Sequence, residues 1–280
     1  MDKNEQLEKI HGLELEIAKE IKRICQIHNI PYFLTAGTLL GAVRHGGFIP
    51  WDDDMDIGML REDYERFLEA CKTELGERFF LQTWDTVPDY PMPFGKICLN
   101  GTHFREEFSG DAKIHDGIFV DVFPYDNVPD DEKERKKQAR RCRICKRLLW
   151  IKKGMGKRLR KGPLREKINY WGPWLLAQIL PYEAVKNYFK RILVKYNGQE
   201  TQKVVTCGSY PYQKESLERD WVTHLEQIPF ETEMFWGYRD REAYLVYFYG
   251  DYRKLPPEED RDRHHRINVD FGPYIEGCGI

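Results

Sequence analysis

Four carboxylates fall within five positions in Asp52-Asp53-Asp54-Met55-Asp56, and the chain then runs into the apolar stretch from Ile57 to Leu60. Alternate side chains of a strand share a face. A strand over 54–60 therefore projects Asp54 and Asp56 together and turns Met55 and Ile57 to the buried side. Two anionic side chains held that close repel, and one pKa rises unless a cation intervenes. A hard divalent cation such as Mg²⁺ takes one or two carboxylates and completes its shell with water and phosphate oxygens. The run points to metal-assisted phosphate chemistry. A third carboxylate strengthens the case. Asp121 interrupts the apolar run from Gly117 to Phe123, between Val120 and Val122, where an unpaired charge is costly. If Asp121 faces the metal of Asp54 and Asp56, the cost disappears. Three carboxylates on two strands can hold two divalent ions that clamp the attacking and leaving oxygens of an in-line phosphoryl displacement. The competing reading is a solvated acidic loop at 52–56 with an edge aspartate at 121; strand context and the third aspartate weigh against it.

Gly37-Thr38 follows an apolar run and precedes a helical one. Glycine lets backbone N–H groups approach a phosphate, and a helix N-terminus favours negative charge; a plain tight turn is the alternative. Arg44 and Lys96 are candidates to neutralise phosphate charge, Lys96 at the mouth of a strand the better placed.

These residues need a scaffold. Leu7, Ile10, Leu13, Ile17, Ile21 and Ile24 recur at helical spacing and predict an amphipathic helix that ends near Pro31. A short strand over 32–36, a helical turn over 39–44, the strand over 54–60 and a helix over 62–72 follow. Strand-like runs then cover 79–84, 96–99, 102–104 and 117–123. Asn100-Gly101 predicts a hairpin between the two at 96–104. A basic helical region, a helix over 182–196, short strands around Phe230 and Trp236 and a helix from about Arg241 complete the pattern. Strands alternating with helices predict a mixed α/β (α+β) sheet. The expected organisation is a catalytic core over 1–129, a basic helical insertion over 130–200, and a C-terminal part over 201–280 that completes the domain.

The order strand, Gly-Thr, helix, loop, Asp-x-Asp, with a later strand aspartate, resembles the nucleotidyltransferase fold. Over Ala36-Gly37-Thr38-Leu39-Leu40-Gly41-Ala42-Val43-Arg44-His45-Gly46-Gly47-Phe48-Ile49-Pro50-Trp51-Asp52-Asp53-Asp54-Met55-Asp56-Ile57-Gly58 the likeness narrows to the LicD family of phosphocholine transferases, whose wider relatives include the fukutin-related proteins. Phe94-Gly95-Lys96, Asp121-Val122-Phe123-Pro124 with Asp126-Asn127, and Tyr249-Gly250-Asp251-Tyr252 with Leu255-Pro256-Pro257 match as well. The resemblance spans residues 20 to 266, and the basic region at 133–167 is poorly matched. It implies transfer of phosphocholine, or a similar phospho-alcohol, from CDP-choline or a related CDP-alcohol. The acceptor is a hydroxyl of a glycan or lipid-linked glycan, as in teichoic acid, lipopolysaccharide or a capsule precursor, and CMP is released. It also implies that Asp54, Asp56 and Asp121 are catalytic and ligate Mg²⁺ or Mn²⁺, that Gly37 and Thr38 contact the nucleotide phosphates, and that Asp121 takes the acceptor proton. His264 and His265 match a family feature near the end of the domain and join the candidate substrate-binding residues. A nucleotidyl transferase of the same fold and a catalytically silent membrane-associated binding protein are the alternatives.

A choline head group is a quaternary ammonium, which aromatic faces bind through cation–π attraction. Trp51, Trp84, Tyr90, Phe94, Trp236 and Tyr238 are available for this. Net charge is only −2, yet residues 133–167 carry 17 Lys and Arg against two Glu, a local balance of +15 on an otherwise acidic chain. With the tryptophans up to residue 176 this segment reads as a contact for an anionic membrane surface; a solvated helix face is the alternative. No nucleic-acid recognition motif accompanies the charge, and no nucleic-acid partner is expected. The seven scattered cysteines suggest a reducing compartment, and Cys142-x-x-Cys145 without a second ligand pair reads as two cysteines on one helix face. Residues 1–20 are charged and lack the apolar stretch of a secretory leader. The expected location is the cytoplasm, including a peripheral position at the inner face of the membrane.

Overall fold

A computed structural model describes residues 1–106, 112–155, 164–261 and 266–275. The N-terminal apolar stripe forms α1 (Lys3–Ile27), which Asp2 and Glu5 open as a capping box. Leu7, Ile10, Ile17, Ile21 and Ile24 are buried along one face. Next come β1 (Phe33–Leu34), α2 (Ala36–His45), β2 (Asp56–Leu60), α3 (Arg61–Glu74), β3 (Phe79–Gln82), β4 (Gly95–Leu99), β5 (His103–Glu106) and β6 (Phe119–Val128). A helical layer follows, comprising α4 (Glu132–Lys152), α5 (Leu164–Ile179) and α6 (Tyr182–Leu193). The chain ends with β7 (Lys203–Val205), β8 (Ser216–Glu218), α7 (Arg219–Thr223), β9 (Leu225–Phe230), β10 (Glu233–Tyr238), α8 (Arg241–Tyr249) and β11 (Arg266–Asp270).

The main sheet runs β1-β2-β6-β4-β3, with β7 on the second half of β6 and β8 beside β7. Its β2–β6 pair is parallel and its other pairs are antiparallel. The expected mixed sheet flanked by helices is therefore present. Strand β6 is its spine, because it bonds β2 and β4 along its first half and β7 along its second. Gly58 permits a close approach in β2: a Cβ there would lie 2.2 Å from the Phe33 ring and 2.8 Å from that of Tyr125. Between β6 and β7, the three helices bury their own apolar cluster, which includes Leu149, Phe189 and Ile192. Cys142 and Cys145 are both buried in it, the helix-face pair expected from their spacing.

Two local expectations change. Strand β2 starts at Asp56 rather than Asp54, because the Asp56 carbonyl accepts from Thr35 N–H and the Asp56 N–H donates to Thr38 Oγ1; Asp54 is left in the approach loop. Asn100-Gly101 does turn the chain, with Gly101 at φ +79°, but no hairpin forms. Both edges of β4 are already filled by β3 and β6, so β5 leaves to pair with β11.

Candidate active site

Strand register builds the site. Asp56 on β2 and Asp121 on β6 are direct partners in the parallel pair, and Lys96 on β4 is the partner of Asp121 on its other side. In-register neighbours point to the same face, so the sheet sets two carboxylates and an ammonium in one row. Lys96 Nζ lies 3.1 Å from Asp121 Oδ1, with both residues buried, and 3.0 Å from the centroid of the Phe119 ring. Asp121 is thus tolerated inside an apolar strand because a cation is supplied from the adjacent one.

The row borders a cavity of about 210 Å³. Asp52, Asp54, Asp56 and Asp121 all line it, together with Ala36 and Gly37 from the start of α2 and with Tyr210, Glu215, Tyr244 and Phe248 from the C-terminal third. Burial raises the Asp54 carboxyl, and Asp52 and Asp56 add to the rise. Burial also raises Asp56, reinforced by Asp121 and Asp52 and opposed by Lys96. Ala36 opens α2 in a left-handed conformation (φ +46°), which costs a residue with a side chain on the order of 1–3 kcal/mol. Its N–H donates to Tyr244 Oη at 3.0 Å, a contact that helps hold it there.

The other expected residues divide. Gly37 reaches the cavity wall, and a Cβ on it would stand 2.9 Å from Asp52 Oδ2. Thr38 lies behind the wall, where its hydroxyl accepts the Asp56 N–H at 2.7 Å and so anchors the start of β2. Arg44 lies outside the cavity lining; it donates to the Tyr252 carbonyl at 3.0 Å and stacks against Trp51. Lys96 touches the site through Asp121. His264 and His265 lie outside the described residues. None of the six aromatics considered for choline lines the cavity: Phe94 and Tyr238 belong to the main core, and Trp84 and Tyr90 to the cluster of the helical layer.

Two acids escaped the sequence reading. Glu215 is 4% exposed; its Oε1 accepts the Tyr210 N–H at 2.9 Å and, among the described residues, its Oε2 has no hydrogen-bond partner. Burial pushes its carboxyl up to about 8, against the opposing pull of Lys146. It sits in a polar stretch without periodicity and gave no signal. Glu14 is buried on α1, its own Oε2 without a hydrogen-bond partner among the described residues, and burial followed by Asp53 and Asp52 raises its carboxyl. It interrupts the apolar stripe between Ile10 and Ile17, a visible anomaly.

Among the described residues no three His, Cys, Asp or Glu side chains are already gathered as a metal cluster. The donor set nonetheless suits a hard cation. Asp52, Asp54, Asp56 and Asp121 offer only oxygen and share one cavity, and the charges of Asp52 and Asp121 add to the raised proton affinity that burial gives Asp54 and Asp56.

Residues 29–149 match the family model described as LicD/FKTN/FKRP, nucleotidyltransferase domain. The lipopolysaccharide cholinephosphotransferase LicD of Haemophilus influenzae is 31% identical over 265 residues, which cover 90% of this chain and 92% of the relative. The ribitol 5-phosphate transferase FKRP of Homo sapiens is 31% identical over 114 residues, covering 39% of this chain and 20% of that protein. An uncharacterised protein of Rickettsia typhi is 48% identical over 120 residues, or 42% of this chain and 35% of its own length. The Haemophilus match takes in nine-tenths of this chain, so it spans the carboxylate strands and the helical layer together, and on it the chain belongs to the LicD family.

Proposed function

We propose that this chain transfers phosphocholine, or a similar phospho-alcohol, from a CDP-activated donor to a hydroxyl of a cell-surface glycan or its lipid-linked precursor, with release of CMP. The observation that carries this reading is the register that sets Asp56 beside Asp121 on a cavity shared with Asp52 and Asp54. The activities for which the Haemophilus and human relatives are named, one moving phosphocholine and the other ribitol 5-phosphate, support a phospho-alcohol as the transferred group.

Asp54, Asp56 and Asp121 would hold Mg²⁺ or Mn²⁺. When bound, the ion would offset their charge and that of the donor phosphates. The start of α2 at Ala36 and Gly37 offers its N-terminal end to a phosphate. Lys96 restrains Asp121, and Thr38 restrains β2. The acceptor oxygen forms a bond to the phosphorus that bears the alcohol while the bond from that phosphorus to the CMP oxygen breaks. The acceptor proton passes to Glu215. Asp121, the family-based expectation for this role, is engaged by Lys96, whereas Glu215 lines the same cavity and among the described residues its Oε2 has no hydrogen-bond partner.

The test is CMP release from CDP-choline, CDP-ethanolamine, CDP-glycerol and CDP-ribitol, each with Mg²⁺, Mn²⁺ or a chelator. Metal-dependent CMP release is expected; a nucleotide adduct on the acceptor would instead mean nucleotidyl transfer. Asp54→Asn and Asp56→Asn should each lower transfer by at least about 100-fold, the scale on which disturbed metal sites lose activity, with circular dichroism unchanged. A folded, fully active double variant would overturn the metal assignment.

A further inference from the structure

Lys214 is partly buried, and among the described residues its ammonium has no ion-paired carboxylate and no hydrogen-bond acceptor, its charge reaching the Glu215 carboxyl only at longer range. Three aromatic rings surround it instead. Nζ lies 4.4 Å from the centroid of Tyr210, 4.5 Å from that of Phe248 and 5.6 Å from that of Tyr249. All three fall within the roughly 6 Å over which a ring face attracts a cation. Tyr210 and Phe248 stand edge to face at 5.1 Å, and Phe248 and Tyr249 are 5.0 Å apart. The cage is therefore built before any ligand arrives. Phe248 and Tyr249 close α8, whose C-terminal carbonyls also favour positive charge. Tyr210 and Phe248 line the carboxylate cavity as well, so the cage opens onto it.

A primary ammonium is a poor long-term occupant of such a place. It carries three N–H donors that want acceptors, and the cage offers ring faces. A quaternary ammonium has no N–H, so ring faces satisfy it fully. The segment that carries Lys214 is a short turn: the N–H groups of Lys214 and Glu215 both donate to the Pro211 carbonyl, and the Tyr210 N–H donates to Glu215. Only the lysine side chain has to withdraw for the cage to open.

We propose that the Tyr210–Phe248–Tyr249 cage receives the quaternary ammonium of a choline-type donor and that Lys214 holds its place until that cation arrives. This rests on the phospho-alcohol reading of the adjoining cavity and narrows it, since a neutral polyol gains nothing from the ring faces. Lys214 also becomes an internal competitor that weakens binding of any cation.

A titration with tetramethylammonium, followed by NMR, tests the cage without donor, acceptor or metal. Lys214→Ala should bind it several-fold more tightly than the wild type. Tyr210→Leu in that background should weaken binding about 3- to 30-fold, the worth of one cation–π contact. Both positions are at least partly exposed, and circular dichroism would verify the fold. Equal affinity of Lys214→Ala and wild type, or no loss on Tyr210→Leu, overturns the cage. In turnover, Tyr210→Leu should raise KM for CDP-choline by a larger factor than KM for CDP-ribitol if both are used; equal changes overturn the head-group assignment. Failure to turn over any CDP-alcohol would refute the proposed activity, and the titration would still decide whether the cage exists.

Discussion

Glu215 is the residue whose chemistry pH can expose. Burial holds its carboxyl up to about 8, so near neutrality most of it carries a proton and cannot accept another. If it takes the acceptor proton, kcat should climb as pH rises through about 8. Glu215→Gln should remove that limb and lower kcat on the order of 100-fold, at the lower end of general-base effects. An unchanged profile in the variant would return the role to Asp121 or to solvent. The contrast between the two acids shows what a sequence makes legible. Asp121 stands out because a charge in an apolar run needs an explanation, and register supplies it in Asp56 and Lys96. Glu215 lies among Ser, Tyr, Pro, Gln and Lys, where an acid is ordinary. Only the fold, by burying it to 4% exposure, makes it unusual. The aromatics named from the sequence lie off the cavity lining for a similar reason: aromatic content is visible in sequence, but which rings meet around the Lys214 ammonium depends on α8 meeting the loop before β8.

Elements decide the cost of the acidic site. Helix α1 was readable from its apolar stripe, and so was the strand–helix–strand order that ends in β2. Strand partners were not, because Asn100-Gly101 encodes a turn but cannot tell that β4 has no free edge. Within α1, Glu14 puts a carboxyl on the buried face near four aspartates. Its pKa is raised in the folded state, first by burial. The protonated form is therefore favoured on folding. Its contribution to stability is complete below the ordinary carboxylate range and is lost as pH rises through the raised value. Glu14→Gln keeps the shape and removes the charge. The variant should match the wild type in acid and become the more stable of the two as pH rises to 9 in the presence of a chelator, by about 1–3 kcal/mol, the usual cost of an uncompensated buried polar group. Denaturant melts at a series of pH values would show it, and a constant offset across the series would mean that Glu14 does not titrate on folding.

At the scale of the whole molecule the charge is one-sided, and the structure adds an apolar face to it. Helix α4 leaves Lys133, Lys136, Lys137, Arg140 and Arg143 exposed, while α5, packed against it, turns Trp171, Leu175, Leu176 and Ile179 to solvent, the last 78% exposed. The basic charge was plain in the sequence. The apolar face was not, because Tyr170, Trp174 and Ala177 on the same helix pack inward and periodicity alone cannot say which side is covered. Among the described residues no helix is long and apolar enough to cross a membrane. Exposed apolar anchors beside cations fit a helix lying in the surface of an anionic bilayer, where a lipid-linked acceptor would also be found. Binding should need both parts. The protein should co-sediment with vesicles containing phosphatidylglycerol and not with pure phosphatidylcholine. Raised salt should weaken the association, since screening acts on the exposed cations. Leu175→Glu with Ile179→Glu should reduce binding at least about 10-fold, because each buried Leu or Ile is worth roughly 1.5–3 kcal/mol. CMP release with a soluble glycan acceptor should be unaffected, since neither residue approaches the carboxylate cavity. Equal sedimentation of the double variant would leave α4 as a solvated basic face and the apolar side of α5 without a membrane role.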